Sequence, residues 1–241
     1  MGKVALITGA SRGIGRQIAR DFAADGYGVI LNYAKSQKAA LELQEELGSC
    51  ALAIQADVAD EKAVAAMMAK AKDRFGSIDV LINNAGVSSF GLLGDYSGEQ
   101  WRAMFDVNVH GAFYCIREIL PGMLAKKSGV ILNISSMWGE IGASCEVCYS
   151  ATKAALIGLT KALAKEVGPS GIRVNCIAPG VIDTDMNAHL SGEDLQSLCQ
   201  ETPLGRLGTA ADVSALALFL ASPKAGFITG QVLSANGGLV V

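Results

Sequence analysis

Four apolar residues, Val4 to Ile7, lead into Thr8-Gly9-Ala10-Ser11-Arg12-Gly13-Ile14-Gly15, and helical spacing begins at once, with Ile14, Ile18, Ala19 and Phe22 on one face. A strand, a glycine-rich turn and a helix in direct succession form an anion cradle. Backbone N–H groups and the helix dipole face the ligand, and glycines let a pyrophosphate approach. The spacing of Gly9, Gly13 and Gly15 is Gly-x3-Gly-x-Gly rather than the commoner dinucleotide pattern Gly-x-Gly-x2-Gly. Ser11, Arg12 and Ile14 complete the turn as candidate cofactor contacts.

The alternation then continues to the end of the chain. Gly28 to Tyr33 reads as a second strand, Ser36 to Leu47 as an amphipathic helix and Ala51 to Ala56 as a third strand. A helix starting near Asp60 is followed by a fourth strand, Ile78 to Ile82, and by the small-residue turn Asn83-Asn84-Ala85-Gly86. Trp101 to Leu120 reads as a long helical region, Val130 to Ile134 as a fifth strand, Tyr149 to Val167 as a helix and Ile172 to Ile177 as a sixth strand before Ala178-Pro179-Gly180. A last helix, Ala210 to Leu220, precedes a strand over 230–234. The 241 residues show no internal repeat and no Pro/Ser linker. Together they predict a single-domain Rossmann-type α/β fold, one doubly wound parallel sheet of about seven strands with helices on both faces. Ligands of such a sheet collect at strand carboxyl ends, here those of strands one, four, five and six. The segment 181–206, with weak periodicity, Pro203 and mixed polarity, is expected to form a mobile lid over that site.

The chemistry concentrates between Ser135 and Lys153. The fifth strand delivers Ser135 and Ser136, and Tyr149 and Lys153 stand four apart on one helix face. An ammonium beside a phenol favours the phenolate and is expected to lower the tyrosine pKa from about 10. A tyrosine tuned in that way exchanges a proton with a substrate oxygen near neutral pH. Asn108, amid apolar neighbours, needs partners if buried.

After the second strand no Asp or Glu stands where a ribose 2′-hydroxyl would be bound. Tyr33, Lys35 and Ser36 occupy that place, and Arg12 lies in the glycine turn. A cation and a hydroxyl suit a 2′-phosphate, which points to NADP(H). Asp57, followed by Val58, either accepts from an adenine amino group or caps the next helix. Asn84, Ala85 and Gly86 belong to the cofactor crevice, to a turn held by asparagine side chains, or to both.

Other functions are disfavoured by composition. A net charge of −3 gives no basic field for nucleic acid or an anionic membrane. No apolar run approaches the roughly 20 residues of a membrane helix, and the N-terminus lacks signal-peptide architecture, so a cytoplasmic protein is expected. Cys145-Glu-Val-Cys148 has no second ligand pair for a metal, and no metal is expected. The sequon at Asn133 lies in a core strand and is discounted.

Taken in order, Thr8-Gly9-x3-Gly13-x-Gly15, Asp57, Asn83-Asn84-Ala85-Gly86, Asn108, Ser136, Tyr149-x3-Lys153 and Pro179-Gly180 resemble the short-chain dehydrogenase/reductase family over essentially the whole chain. Within it, Gly9 to Gly15, Asp183-Thr-Asp-Met186 and Asn236-Gly-Gly238 look most like the 3-oxoacyl-[acyl-carrier-protein] reductases. The resemblance implies that Tyr149 is the proton donor, that Ser136 binds the substrate oxygen, that Lys153 holds the nicotinamide ribose and that Asn108 holds a relay water. It places Pro179, Gly180 and Thr184 at the nicotinamide end and implies a homotetramer. Lys126 and Lys127 are candidates for docking an acidic carrier protein, whereas Ser170, at a place often basic in that group, is neutral. The stretch from Ser136 to Val147 is also similar to reductases of a 5-aminopentanone group on elongation factor P, where Glu140 and Glu146 would suit the amine. A third reading, of another class, is a non-catalytic dinucleotide-binding sensor.

Overall fold

The computed structural model describes residues 2–185 and 191–241. Its strands are β1 (Val4–Ile7), β2 (Gly28–Tyr33), β3 (Ala51–Gln55), β4 (Val80–Asn83), β5 (Gly129–Ile134), β6 (Ile172–Pro179) and β7 (Val232–Ala235). They form one parallel sheet in the order β3-β2-β1-β4-β5-β6-β7. Side chains alternate across it. Ile7, Leu31, Ile82 and Leu132 enter one core, and Leu6, Ile30, Leu81 and Ile131 enter the other. This explains why the strands read as unbroken apolar runs: both faces are buried.

Helices α1 (Gly13–Ala24), α2 (Gln37–Leu47) and α9 (Ala210–Ala221) cover the first face through Ile18, Phe22, Leu43, Val213 and Leu220. Helices α3 (Glu61–Phe75), α5 (Gly111–Lys126) and α7 (Val147–Val167) cover the second through Met67, Met68, Ile116, Ile119, Leu163 and Val167. Chain order reverses beside β1, whose two neighbours, β2 and β4, lead in opposite directions. The crevice at a parallel sheet's switch point therefore opens above β1 and β4.

Among the described residues, four α-helix starts are closed by side-chain caps. Asp60 accepts from Lys62 N and Ala63 N at α3. Reciprocal capping boxes stand at α4 (Gly98–Phe105, Ser97 with Gln100), α8 (Gly192–Glu201, Ser191 with Asp194) and α9 (Thr209 with Asp212). No side chain caps α1. At the opposite edge of the sheet, Asp79 joins three elements: its carboxylate accepts from Val4 N (2.9 Å) and pairs with Lys126 Nζ (2.8 Å).

Two expectations need correction. The helical region from Trp101 to Leu120 is two helices, α4 and α5, separated by a π turn, Asp106–His110, in which Gly111 N donates to Asp106 O. Sequence periodicity carries no mark of a single widened turn. The segment 181–206, read as irregular, contains α8, a ten-residue helix with Leu195, Leu198 and Cys199 on one half-buried face. Residues 186–190, including Met186, lie outside the described residues.

The interior also holds a polar ladder. Asn83 and Asn133 are register partners on β4 and β5. Asn83 Nδ2 donates to Asn133 Oδ1 (2.8 Å), Asn133 Nδ2 to Thr160 Oγ1 (2.9 Å), and Thr160 Oγ1 to Leu156 O (2.8 Å). The sequon asparagine is thus fully buried. Asn133→Ala would leave the Asn83 amide and the Thr160 hydroxyl short of partners in a dry interior, at a cost of roughly 2–4 kcal/mol. Urea unfolding is expected to show that loss with an unchanged m value; a loss below about 1 kcal/mol would contradict it.

Candidate active site

The glycine turn is fastened to the sheet by buried hydroxyl and amide groups. Thr8 Oγ1 accepts from Asn84 N (2.9 Å) and Ala85 N (3.0 Å), while Asn84 Nδ2 donates to Thr8 O (2.9 Å) and Gly9 O (3.2 Å). Asn32, at the end of β2, accepts from Gly9 N (3.3 Å) and donates to Ala56 O (2.9 Å). Gly9 takes φ +64°, and a Cβ on Gly15 would fall 2.5 Å from both Asn84 Nδ2 and Gly9 O. Glycine is therefore demanded at 15 by packing and at 9 by conformation.

A cavity of about 400 Å³ lies over this turn. Gly9, Ser11, Arg12, Gly13 and Ile14 form one wall, and Tyr33, Lys35 and Ser36 a second. Asp57, Val58, Asn84, Ala85 and Gly86 close a third, with Thr184 over Gly13: a Cβ there would stand 3.6 Å from Thr184 Cγ2. Gly15 packs beneath the turn instead of facing the space. Asp57 does not cap α3, since Asp60 does; its carboxylate accepts from Ala59 N (3.0 Å) at the cavity edge. Arg12, Lys35 and Ser36 are all exposed there.

A second cavity, about 130 Å³, joins the first along Ile14, Asn84, Gly86 and Thr184. Ser136, Tyr149 and Lys153 line it, with Pro179 and Gly180 at its far side. Pro179 O accepts from Met137 N (3.0 Å), and a Cβ on Gly180 would meet Asn236 Cα at 2.8 Å. Lys153 is held on several sides. Its Nζ donates to Ile134 O (2.8 Å), and its carbonyl accepts from Ser135 Oγ (2.8 Å). Gly139, in the short helix α6 (Trp138–Ile141), packs so closely that a Cβ would lie 2.9 Å from that of Lys153.

Tyr149 is buried in a small cluster with Met104 and Cys148, against which Trp101 and Trp138 pack. The expected depression of its pKa by Lys153 is not found. Burial pushes the phenol up to about 12; the Ser136 hydroxyl offsets part of this, and the Glu146 carboxylate reinforces it. Burial likewise lowers the Lys153 ammonium to about 8. Desolvation penalises both charged forms, and the Nζ sits 5.4 Å from the ring centroid, over its face.

Asn108, in the π turn, is anchored by its side chain below the site. Its Oδ1 accepts from Val87 N (2.8 Å), and its Nδ2 donates to Val87 O (2.9 Å) and Thr152 Oγ1 (3.0 Å). A Cβ added to Gly86 would lie 3.4 Å from both Asn108 Oδ1 and Lys153 Nζ. Every site residue read from the sequence thus converges on the two cavities or their supports. The reading missed Asn32, Gly139 and Thr152, and gave Thr8 and Ser135 no part of their own; the roles of all five lie in contacts rather than in a recognisable spacing.

A family model described as enoyl-(acyl carrier protein) reductase matches residues 9–240. The 3-oxoacyl-[acyl-carrier-protein] reductase FabG of Staphylococcus aureus is 46% identical over 99% of this chain and 98% of its own. The chain belongs to the short-chain dehydrogenase/reductase family. A Bacillus subtilis protein called uncharacterized oxidoreductase YmfI is 43% identical over 99% of both chains. A Synechocystis 3-oxoacyl-[acyl-carrier-protein] reductase is 43% identical over 99% of this chain and 97% of its own. Membership makes the protein an oxidoreductase of C=O and CH–OH groups and implies a nicotinamide cofactor. The residues fit one: an uncapped helix start, glycines at close approach, and two joined cavities for the two ends of a dinucleotide. Among the described residues no helix is long and apolar enough to cross a membrane, and no group of three or more His, Cys, Asp or Glu could hold a metal.

The buried lysine has a signature in stability. Its folded pKa, about 8, lies below the unfolded value of 10.5, so between those values the unfolded chain binds more protons and stability rises with pH. The penalty is present in full below about pH 8 and fades as pH climbs to 10.5. Across that window the ligand-free wild type is expected to gain about 3 kcal/mol relative to Lys153→Met in urea unfolding. Parallel stability curves for the two proteins would show that Lys153 is not desolvated.

Proposed function

We propose that the protein is an NADPH-dependent carbonyl reductase whose substrate is a 3-oxoacyl group on acyl carrier protein, reduced to the 3-hydroxyacyl form. The observation that carries this reading is the meeting of the two cavities, one with Arg12, Lys35 and Ser36 at its edge, the other with Ser136, Tyr149 and Lys153. The names of the Staphylococcus and Synechocystis relatives support the substrate class. A nicotinamide dinucleotide held by the residues lining the two cavities would supply the hydride for such a reduction.

Tyr149 gives its proton to the carbonyl oxygen, so that C=O becomes CH–OH. Burial keeps the phenol protonated, the form that reduction requires. Ser136 hydrogen-bonds the same oxygen and holds it in line with that proton. Lys153 binds the cofactor ribose and restores the proton to Tyr149, drawing on a water held between its Nζ and Asn108 Oδ1 beside Gly86. We also read the protein as a homotetramer, on the apolar residues that α5 leaves exposed, Phe113 and Leu124, and on the small exposed residues Ala154, Gly158 and Ala162 of α7.

Arg12, with no acid after β2, favours a 2′-phosphate. A charge-assisted contact of that kind contributes about 1.5–3 kcal/mol, so NADPH is expected to bind at least about tenfold more tightly than NADH. Arg12→Ala should remove most of the preference in fluorescence titrations. Equal dissociation constants in the wild type would sink the NADP(H) assignment.

One observation favours a second substrate, an amino-ketone such as the 5-aminopentanone group on elongation factor P: the Glu146 carboxylate acts electrostatically on the Tyr149 phenol and so stands close to the reacting groups. Glu140 is less suited to that part, because it accepts from Ser234 Oγ (2.8 Å). Both carrier-docking candidates stand by the amino end of β5, away from the cavities at the carboxyl ends of the strands, and Lys126 is taken up by Asp79, so neither lies at the site entrance. Steady-state kinetics with acetoacetyl thioesters and an amino-ketone separate the substrates. Tyr149→Phe is expected to lower turnover of either by about 10² or more while NADPH still binds; full NADPH binding with no turnover of any ketone by the wild type would instead mark a sensor. Under the acyl reading Glu146→Gln is silent on both substrates. Under the amino-ketone reading Glu146→Gln raises KM about tenfold for the amine only.

A further inference from the structure

We propose that Thr152 is a positioning residue for the Tyr149–Lys153 pair, an inference that rests on reading that pair as the reacting groups. Thr152 is completely buried, one residue before Lys153 and three after Tyr149. Its hydroxyl donates to Tyr149 O (2.7 Å) and accepts from Asn108 Nδ2 (3.0 Å). Through Asn108 it reaches the backbone of Val87, in the loop after β4. One run of hydrogen bonds therefore links that loop, the π turn and the first turn of α7.

The link matters because Ser135, Ile134 and Gly139 hold Lys153 from β5 and α6, whereas Thr152 adds a tie from the π turn to the start of α7. Its N-cap, Glu146, makes no capping hydrogen bond with its side chain, and the preceding Cys145 adopts φ +62°, an unfavourable conformation for a non-glycine residue. Ser150 Oγ, accepting from Ala143 N (3.1 Å), braces the turn on its outer side. On the inner side the Thr152 hydroxyl, back-bonded to its own helix, has its free lone pair aimed at Asn108. Removing that acceptor leaves a buried N–H of Asn108 without a partner, and either the π turn or α7 must shift to recover one. Tyr149 and Lys153 straddle the point of attachment, so a shift of α7 displaces both together. Such displacements are costly in reactions that depend on alignment.

Thr160 supplies the control. It is also fully buried on α7, back-bonds to Leu156 O (2.8 Å) and accepts from an asparagine amide, but it stands two turns further on. Thr152→Val, nearly isosteric, is expected to lower kcat about tenfold or more with KM changed less than about twofold, and to displace the pH midpoint of kcat. It should also weaken NADPH binding about threefold in a fluorescence titration, a measurement that needs no ketone. Thr152→Ser should restore all of these. Thr160→Val should lose stability yet keep the wild-type pH midpoint and NADPH affinity. Wild-type kcat and pH midpoint in Thr152→Val, equal losses in the two valine variants, or no rescue by serine would each overturn the proposal. If the wild type turned over no ketone, the function proposed above would fail, and an unchanged NADPH affinity in Thr152→Val would then separately overturn the positioning role.

Discussion

Lys153 projects from α7 into the site almost wholly buried, and much of the site exists to keep it there. A buried ammonium is costly, and its hydrogen bond to Ile134 O does not hold its pKa at the ordinary lysine value. The surrounding parts are arranged for closeness. Ser135 binds the lysine's own carbonyl, Gly139 lets α6 approach its Cβ, and the parallel sheet brings the ends of β4, β5 and β6 together around it. The same closeness buries Tyr149. Two groups that share a desolvated space are both pushed toward neutrality, which suits a phenol meant to give away a proton.

The fold was legible in the sequence because the sheet is parallel and doubly covered. Strands buried on both faces become unbroken apolar runs, and Val4 to Ile7 or Val130 to Ile134 can hardly be read otherwise. Boundaries were less legible where cohesion is local. The π turn at Asp106–His110 adds one residue to a turn without altering hydrophobic spacing, so two helices read as one. Helix α8 is short, and its apolar face, Leu195, Leu198 and Cys199, spans little more than one turn of a polar segment, so it was passed over.

Within the site, side chains whose chemistry is their function announced themselves: Tyr149 and Lys153 by spacing, Arg12 by standing among glycines. The supports did not. Thr8, Asn32 and Thr152 are ordinary polar residues in sequence, and only the surrounding backbone shows that each satisfies two or more buried groups. The pKa of Tyr149 was misjudged for a related reason. Spacing reveals a neighbouring charge but not the burial that outweighs it.

The open start of α1 has a consequence for the molecule as a whole. Helices α3, α4, α8 and α9 complete their first turns with capping side chains, whereas α1, like α2 and α7, has none, and at α1 the glycine turn leaves its N–H groups facing a cavity. An anion seated there is thus a missing piece of secondary structure as much as a ligand. Because only the folded chain offers that seat, occupancy and resistance to unfolding rise together. In a cell, the lifetime of this protein against proteolysis would follow the supply of the molecule it uses.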